Sequence, residues 1–172
     1  MIKYLPLLLA LTVTTSPAWP VGVREDYDLD DNGLIEINDL ADLNELRNDV
    51  TGKTLYGSNA GCPEGGCRGV ELTADLDFDT NQDGVMDAAD TYWNDGKGWE
   101  PIGDHIKRFG GFFEGNGYVI RNLYIDRPDY TGEVGLFGFL YQTTIRRTGI
   151  AGKLSFVRGA SQAGMLVGHI EL

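Results

Sequence analysis

Tyr118-Val119-Ile120-Arg121-Asn122-Leu123-Tyr124-Ile125 is the stretch on which the fold turns. Apolar residues alternate with polar ones until Asn122 interrupts, and the alternation then resumes. The stretch is echoed by Thr143-Thr144-Ile145-Arg146-Arg147-Thr148-Gly149-Ile150, twenty-five positions on, with Ile120 matching Ile145 and Ile125 matching Ile150. A second echo links Leu136-Phe137-Gly138-Phe139-Leu140 to Leu166-Val167-Gly168-His169-Ile170. Period-two alternation broken every few residues by Gly or Asn describes strands that turn corners. A repeat of about 25–30 residues suits one coil of a β-solenoid. Each such coil buries its inward Ile, Leu, Val and Phe only against its neighbours.

Working outward toward the N-terminus, two acidic loops share one ligand spacing. The first spans residues 28–39 and offers Asp28, Asp30, Asn32, Glu36 and Asp39 around Gly33. The second spans residues 79–90 and offers Asp79, Asn81, Asp83 and Asp90 around Gly84. Both place Asp or Asn at loop positions 1, 3 and 5, Gly at 6, an apolar residue at 8 and Asp at 12. A hard cation such as Ca²⁺ takes six to eight oxygens at about 2.3–2.6 Å, and a short loop supplies them by folding round the ion. The carbonyls of Leu34 and Val85 would give the position-7 oxygen. Single Asp/Asn/Gly clusters make ordinary turns, but two loops agreeing at six positions point to Ca²⁺. Position 12 is Asp rather than the bidentate Glu of EF-hands, so at least one site is expected to be weaker or completed by water.

The surroundings of the two loops differ. Ile37, Leu40, Leu43 and Leu46 recur every three residues after the first, predicting a helix of about ten residues that ends near Asn48, with Asn38 or Asp39 as its cap. The second is entered from the strand-like stretch 70–78 and left through Gly96, Gly98 and Pro101, with no helix expected. Each loop is similar to the calcium loop of dockerin modules. Those modules pair their loops closely, whereas these start about fifty residues apart, so the loops are read as separate clips on another scaffold.

Length and charge narrow the function. The 172 residues fit one domain, and a formal net charge of −12 excludes nucleic acid as a partner. Twenty-four glycines against six prolines fit many tight turns. Residues 1–18 read as a signal peptide: Lys3 supplies the positive start, Leu5 to Val13 the apolar run, and Ser16-Pro17-Ala18 the small-residue exit, so the mature chain would begin near Trp19. That run is too short to span a bilayer, and no later segment qualifies. Export gives Cys62 and Cys67 their meaning. In an oxidising compartment this close pair around Pro63 and two glycines forms a small disulfide loop. Two thiols cannot build a four-ligand zinc site, and the spacing is not that of a redox pair.

The coil-forming region also carries a family resemblance. Residues 113–125, then Val134-Gly135-Leu136-Phe137-Gly138, then Ala163-Gly164-Met165-Leu166-Val167-Gly168, resemble the GLUG-motif repeats of bacterial surface proteins, including adhesin-like and IgA-peptidase-like ones. Met165 departs from the pattern, standing where a second Gly is common. The resemblance covers about residues 109–172, extends to the stretch from Asp26 that often precedes such repeats, and implies a right-handed parallel β-helix. It is specific to a repeat architecture and weakly so to function. Two to three coils fit before Leu172, and solenoids usually need more coils and capped ends. A truncated frame is therefore expected, with self-association through an uncapped end.

No catalytic constellation stands out. His105 and His169 are isolated, phosphate-loop and zinc-protease motifs are absent, and residues 110–117 read as β-turns. The enzyme alternative is a calcium-dependent polysaccharide-lyase-type β-helix, for which Arg121, Arg127, Arg146 and Arg147 are candidate bases by position alone. Tyr92, Trp93 and Trp99, with Tyr124 and Tyr130, are candidates for stacking on sugar rings, although an aromatic plug over the solenoid end is the favoured reading.

The expectation is therefore an all-β protein, the start of a right-handed parallel β-helix, behind an N-terminal cap (residues 19–108) that holds one short α-helix, two calcium loops and the disulfide. The coils are expected over residues 109–172. Its expected role is that of an exported, extracellular or cell-surface, non-enzymatic adhesin-like solenoid of bacterial type, with surface glycans or host and cell-surface proteins as partners and Ca²⁺ as cofactor.

Overall fold

The computed structural model describes residues 23–172, so the signal-peptide reading and Trp19 lie outside the described residues. The chain forms a β-solenoid of about four turns, and its strands stack in four parallel columns. The first column runs through β1 (Ile35–Ile37), β2 (Gly69–Leu72), β4 (Phe112–Glu114) and β8 (Ile145–Arg146). The second holds β3 (Leu76–Asp77), β5 (Val119–Arg121) and β9 (Gly149–Ala151); the third β6 (Tyr124–Arg127) and β10 (Phe156–Gly159); the fourth β7 (Phe137–Tyr141) and β11 (Val167–Glu171).

The period-two pattern decides which side chains face inward. In the first column Ile35, Val70, Phe113 and Ile145 lie in register, and Leu76, Ile120 and Ile150 do so in the second. All but Ile145 and Ile150 are fully buried or nearly so. Burying such a side chain contributes about 1.5–3 kcal/mol, so the core is a set of short apolar stacks along the axis.

The coil repeat is thirty to thirty-two residues here, not twenty-five. Ile120 sits over Ile150, and Ile145 stacks on Phe113. The first echo thus aligned two different faces of successive coils, which resemble each other because every face alternates. The second echo has the true spacing: Phe137 pairs with Val167 and Phe139 with His169. Two glycines let these coils close up. A Cβ on Gly138 would lie 2.3 Å from the Gly103 carbonyl oxygen, and one on Gly168 would lie 2.7 Å from the Val134 nitrogen.

The stack also reaches further back than Phe109. β1 and β2 belong to the same sheet as β4, so the region expected as a cap contains coils of its own. The second coil continues into the third and fourth columns without regular strands: Trp99 N–H donates to the Tyr124 carbonyl, and Ile102 and Phe109 bridge to Phe137 and Leu140. Irregular insertions disguise these coils in the sequence, with thirty-five residues separating Ile35 from Val70 and forty-three separating Val70 from Phe113.

The helix is shorter than its apolar spacing predicted. α1 spans Leu40–Glu45, and Asp39 caps it by accepting from Ala41 N–H at 2.8 Å and Asp42 N–H at 2.9 Å. Ile37 belongs to β1. Leu40, Leu43 and Leu46 still pack into the core. Past Glu45 the bonds tighten to Arg47 N–H on Asn44 and Asn48 N–H on Glu45. The Arg47 guanidinium then lies over the Trp99 ring, 4.1 Å from its centroid, and donates to the carbonyls of Glu100 and Pro101.

Candidate metal centre

The two acidic loops share one conformation over their first six positions. In the first, Gly33 N–H donates to Asp28 Oδ2 at 2.9 Å and Asn32 N–H to Asp30 Oδ1 at 3.2 Å. In the second, Gly84 N–H donates to Asp79 Oδ2 at 2.9 Å and Asp83 N–H to Asn81 Oδ1 at 3.1 Å. The left-handed residues match as well: Asp31 and Gln82 at φ 57° and 60°, Gly33 and Gly84 at φ 81° and 84°. The position-2 amide is closed differently. Leu29 N–H donates to Glu36 at position 9, and Thr80 N–H to Asp90 at position 12, both at 2.7 Å.

The match extends upstream of the expected motif. Asp26-Tyr27-Asp28 and Asp77-Phe78-Asp79 are equivalent: Asp26 accepts from Asp28 N–H at 2.9 Å, and Asp77 from Asp79 N–H at 3.0 Å. Tyr27 and Phe78 are buried. Each ring anchors its loop in the core, while the following carboxylates stay at the loop. Asp, aromatic, Asp two residues before the spacing begins was a legible signal.

The site residues divide by environment. Asp28, Glu36, Asp79 and Asp90 are buried, Leu34 is buried at position 7, and its counterpart Val85 is half-exposed. Asp39 spends its side chain on the helix cap, so the position-12 role falls away from the first loop's interior and Glu36 takes the closing bond. In the second loop Asn81 Nδ2 donates to Asp83 Oδ2 at 3.0 Å.

Among the described residues, one group of three acidic side chains brings a carboxylate oxygen from each within 4.8 Å of the others: Asp30, Glu36 and Glu71. Glu71 lies on β2, directly beside Glu36 in the ladder, and was not foreseen as a ligand. Burial pushes the Glu36 carboxyl up, and Asp30 and Glu71 add to that, against the Leu29 amide and Arg24. Its Oε2 is buried without a hydrogen-bond partner. An orphaned buried carboxylate oxygen beside two more carboxylates fits a hard cation. Asp28, Asp30, Asn32, Glu36 and the Leu34 carbonyl would hold Ca²⁺ in the first loop, and Asp79, Asn81, Asp83, Asp90 and the Val85 carbonyl in the second. The ion would supply positive charge to clustered oxygens.

The next rung is neutralised by the protein itself. Glu114, in register with Glu71, accepts from Arg146 Nε at 2.6 Å and Arg147 Nε at 2.8 Å. Burial opposes its ionisation, but the bonds from Arg147, the Asn116 amide and Arg146 outweigh that and lower its pKa to about 2.

The disulfide between Cys62 and Cys67 is present and braces the first loop from behind. Arg68 N–H donates to the Gly33 carbonyl at 3.0 Å, and Tyr27 N–H to the Ala60 carbonyl at 2.9 Å.

The aromatic candidates separate. Trp99 is 1% exposed, its Nε1–H donates to the Leu136 carbonyl at 3.1 Å, and its ring meets Phe78 and Tyr92 edge-on. Tyr92 donates its hydroxyl to the Leu40 carbonyl. Trp99 is therefore closed to a sugar, which corrects its stacking assignment, whereas Tyr92 is half-buried and lines the cleft beside the second loop. Trp99 fills the interior of the second coil rather than plugging an end, and Tyr92 packs against it. Trp93 lies outside that cluster and stacks on Tyr124, which stacks in turn on Phe156.

The four arginines considered as bases have partners: Arg121 on Asp75, Arg146 and Arg147 on Glu114, and Arg127 on the carbonyls of Trp99 and Gly98. A cleft of about 430 Å³ between α1 and the second loop is lined by Asp39, Asp75, Asp77 and Asp79.

Comparisons with known proteins place these coils beside two large proteins. The chain is 41% identical over 76 residues, 43% of its length, to a protein named as a Gly-rich membrane protein from Evansella cellulosilytica, and covers 9% of that protein. It is 32% identical over 136 residues, 77% of its length, to halomucin from Haloquadratum walsbyi, and covers 1% of it. The chain thus spans less than a tenth of either relative's length. No family model matches, and no solved structure matches. No helix among the described residues is long and apolar enough to cross a membrane.

Proposed function

We propose that this chain is a calcium-stabilised segment of an exported, cell-surface β-solenoid with a structural and binding, adhesin-like role. The observation that carries the reading is the agreement of the backbone-to-carboxylate bonds in the first halves of the two acidic loops, from Asp26 to Gly33 and from Asp77 to Gly84. Kinship with the GLUG-type repeats belongs to the same proposal; its support is that the Val134 and Ala163 segments bridge in parallel one coil apart. A glycine-rich membrane protein and halomucin as relatives agree with a place at or outside the cell surface. Surface glycans or cell-surface proteins are the proposed partners, and the half-exposed Phe156, Met165 and Ile170 of the fourth coil are the proposed self-association surface.

The lyase reading has less support. A base must be unengaged, and a polyuronate would meet the aspartates of the cleft with like charge. Calorimetric titration of Ca²⁺ into the chelated chain tests the proposal. Two equivalents, one lost in Asp30→Ala and one in Asn81→Ala, are expected. No heat of binding in the parent chain would reduce both loops to polar turns.

A further inference from the structure

We propose that the cation of the first loop is shared between coils: Glu71 on β2 of the second coil completes the site that Asp30 and Glu36 of the first coil begin. The inference deepens the calcium reading and rests on it for the first loop alone.

Three observations converge. Glu36 is 4% exposed, its Oε1 takes the Leu29 amide, and its Oε2 is buried with no partner. One carboxylate oxygen each from Asp30, Glu36 and Glu71 lies within 4.8 Å of the others. The three line an open cleft of about 330 Å³ together with Asn116 and Tyr118. Among the described residues no Lys or Arg forms an ion pair with any of the three, although the fields of Arg24 and Arg147 reach Glu36 and Glu71. Arg24 directs its guanidinium to the Glu36 backbone carbonyl and to Asp42. Glu71 receives the uncharged amides of Asn32, at 2.8 Å, and Asn116, at 2.6 Å.

Glu36 and Glu71 are register partners, so the parallel ladder holds their backbones about 4.8 Å apart and puts both side chains on one face. Like charges directly opposite one another repel. A hard divalent cation converts that repulsion into attraction, and three carboxylates plus carbonyl oxygens are the ligands it prefers. The ion would therefore fasten the first coil to the second, rather than merely shape one loop.

The test is titration of Ca²⁺ into the full chain and its Glu71→Gln, Asp30→Asn and Asn81→Ala variants, with melting curves in EDTA and in Ca²⁺. Glu71→Gln should weaken one equivalent by at least about tenfold and leave the other unchanged. In EDTA its Tm should equal or exceed that of the parent, since a repulsion is gone, while the rise on adding Ca²⁺ should shrink. The sharing is overturned if Asp30→Asn loses an equivalent and Glu71→Gln loses none. It is also overturned if Glu71→Gln lowers Tm equally in both media, which would make Glu71 only an acceptor for Asn32 and Asn116. Should the parent bind no Ca²⁺, or only the equivalent that Asn81→Ala removes, the calcium reading of the first loop fails and the sharing with it.

Discussion

Asn122 donates its side-chain amide to Asp77 Oδ1 at 2.8 Å, joining the third coil to the second at the corner where the second acidic loop departs. Its own Oδ1 accepts from Leu154 N–H of the fourth coil at 3.3 Å. Asn122 is at φ 55°, so one residue supplies the left-handed corner and a bond to each neighbouring coil. Asn122→Ala is expected to lower stability by about 2–4 kcal/mol, from two lost bonds and the cost of a left-handed Ala. Asn122→Gly keeps the corner and should cost less; urea unfolding of both variants checks the order.

Glu114 makes acid stability predictable. Its pKa is held at about 2 in the folded chain against an ordinary 4.5. A depressed carboxylate contributes stability that is complete above about pH 4.5 and drains as pH falls toward 2. Glu114→Gln should lower Tm at pH 6 and flatten the Tm–pH curve between pH 4.5 and 2. Because Arg146 and Arg147 are exposed, half-molar salt should narrow the difference between variant and parent.

Removing the disulfide in Cys62→Ser/Cys67→Ser should cost about 2 kcal/mol in the chain-entropy account of so short a loop. Since the bridged segment backs on Gly33, the double variant should also bind Ca²⁺ more weakly at the first loop and unchanged at the second. Calorimetry on both proteins separates the two effects.

Trp99→Ala should destabilise by about 3–5 kcal/mol, because it empties the centre of the second coil and leaves the Leu136 carbonyl with the Ile102 amide alone. The Arg47 guanidinium loses its ring partner as well. A drop in the urea midpoint with m unchanged would identify this as lost packing.

Calcium should raise Tm by mass action. Each filled site contributes about 2.7 kcal/mol when free Ca²⁺ stands at a hundred times its Kd. Equal melting curves in Ca²⁺ and in EDTA would count against both loops.

Much of this was legible in the sequence, and the reasons differ by region. The echo between Leu136 and Leu166 gave the coil spacing because its glycines sit where backbones nearly touch, a demand that recurs once per coil. The echo between Ile120 and Ile145 misled because alternation alone does not tell one face from the next. The coils at Ile35 and Val70 were hidden by insertions that break the period. Trp99 was misjudged because local clustering with Trp93 says nothing of which ring enters the core. Glu71 lay out of view because its partners are supplied by strand pairing, thirty-five and more residues away.

The outer line of the first column has one more consequence. It reads Glu36, Glu71, Glu114, Arg146 from coil to coil, while the inward positions beside it are all apolar. A core of interchangeable Ile, Val and Phe would tolerate one coil sliding onto the wrong neighbour. The charged line would not: skipping a rung would set Arg146 against Glu71 and take from Glu114 one of its two guanidinium partners. The sign change along the column thus acts as a key for assembly order, fixing which coil may lie on which.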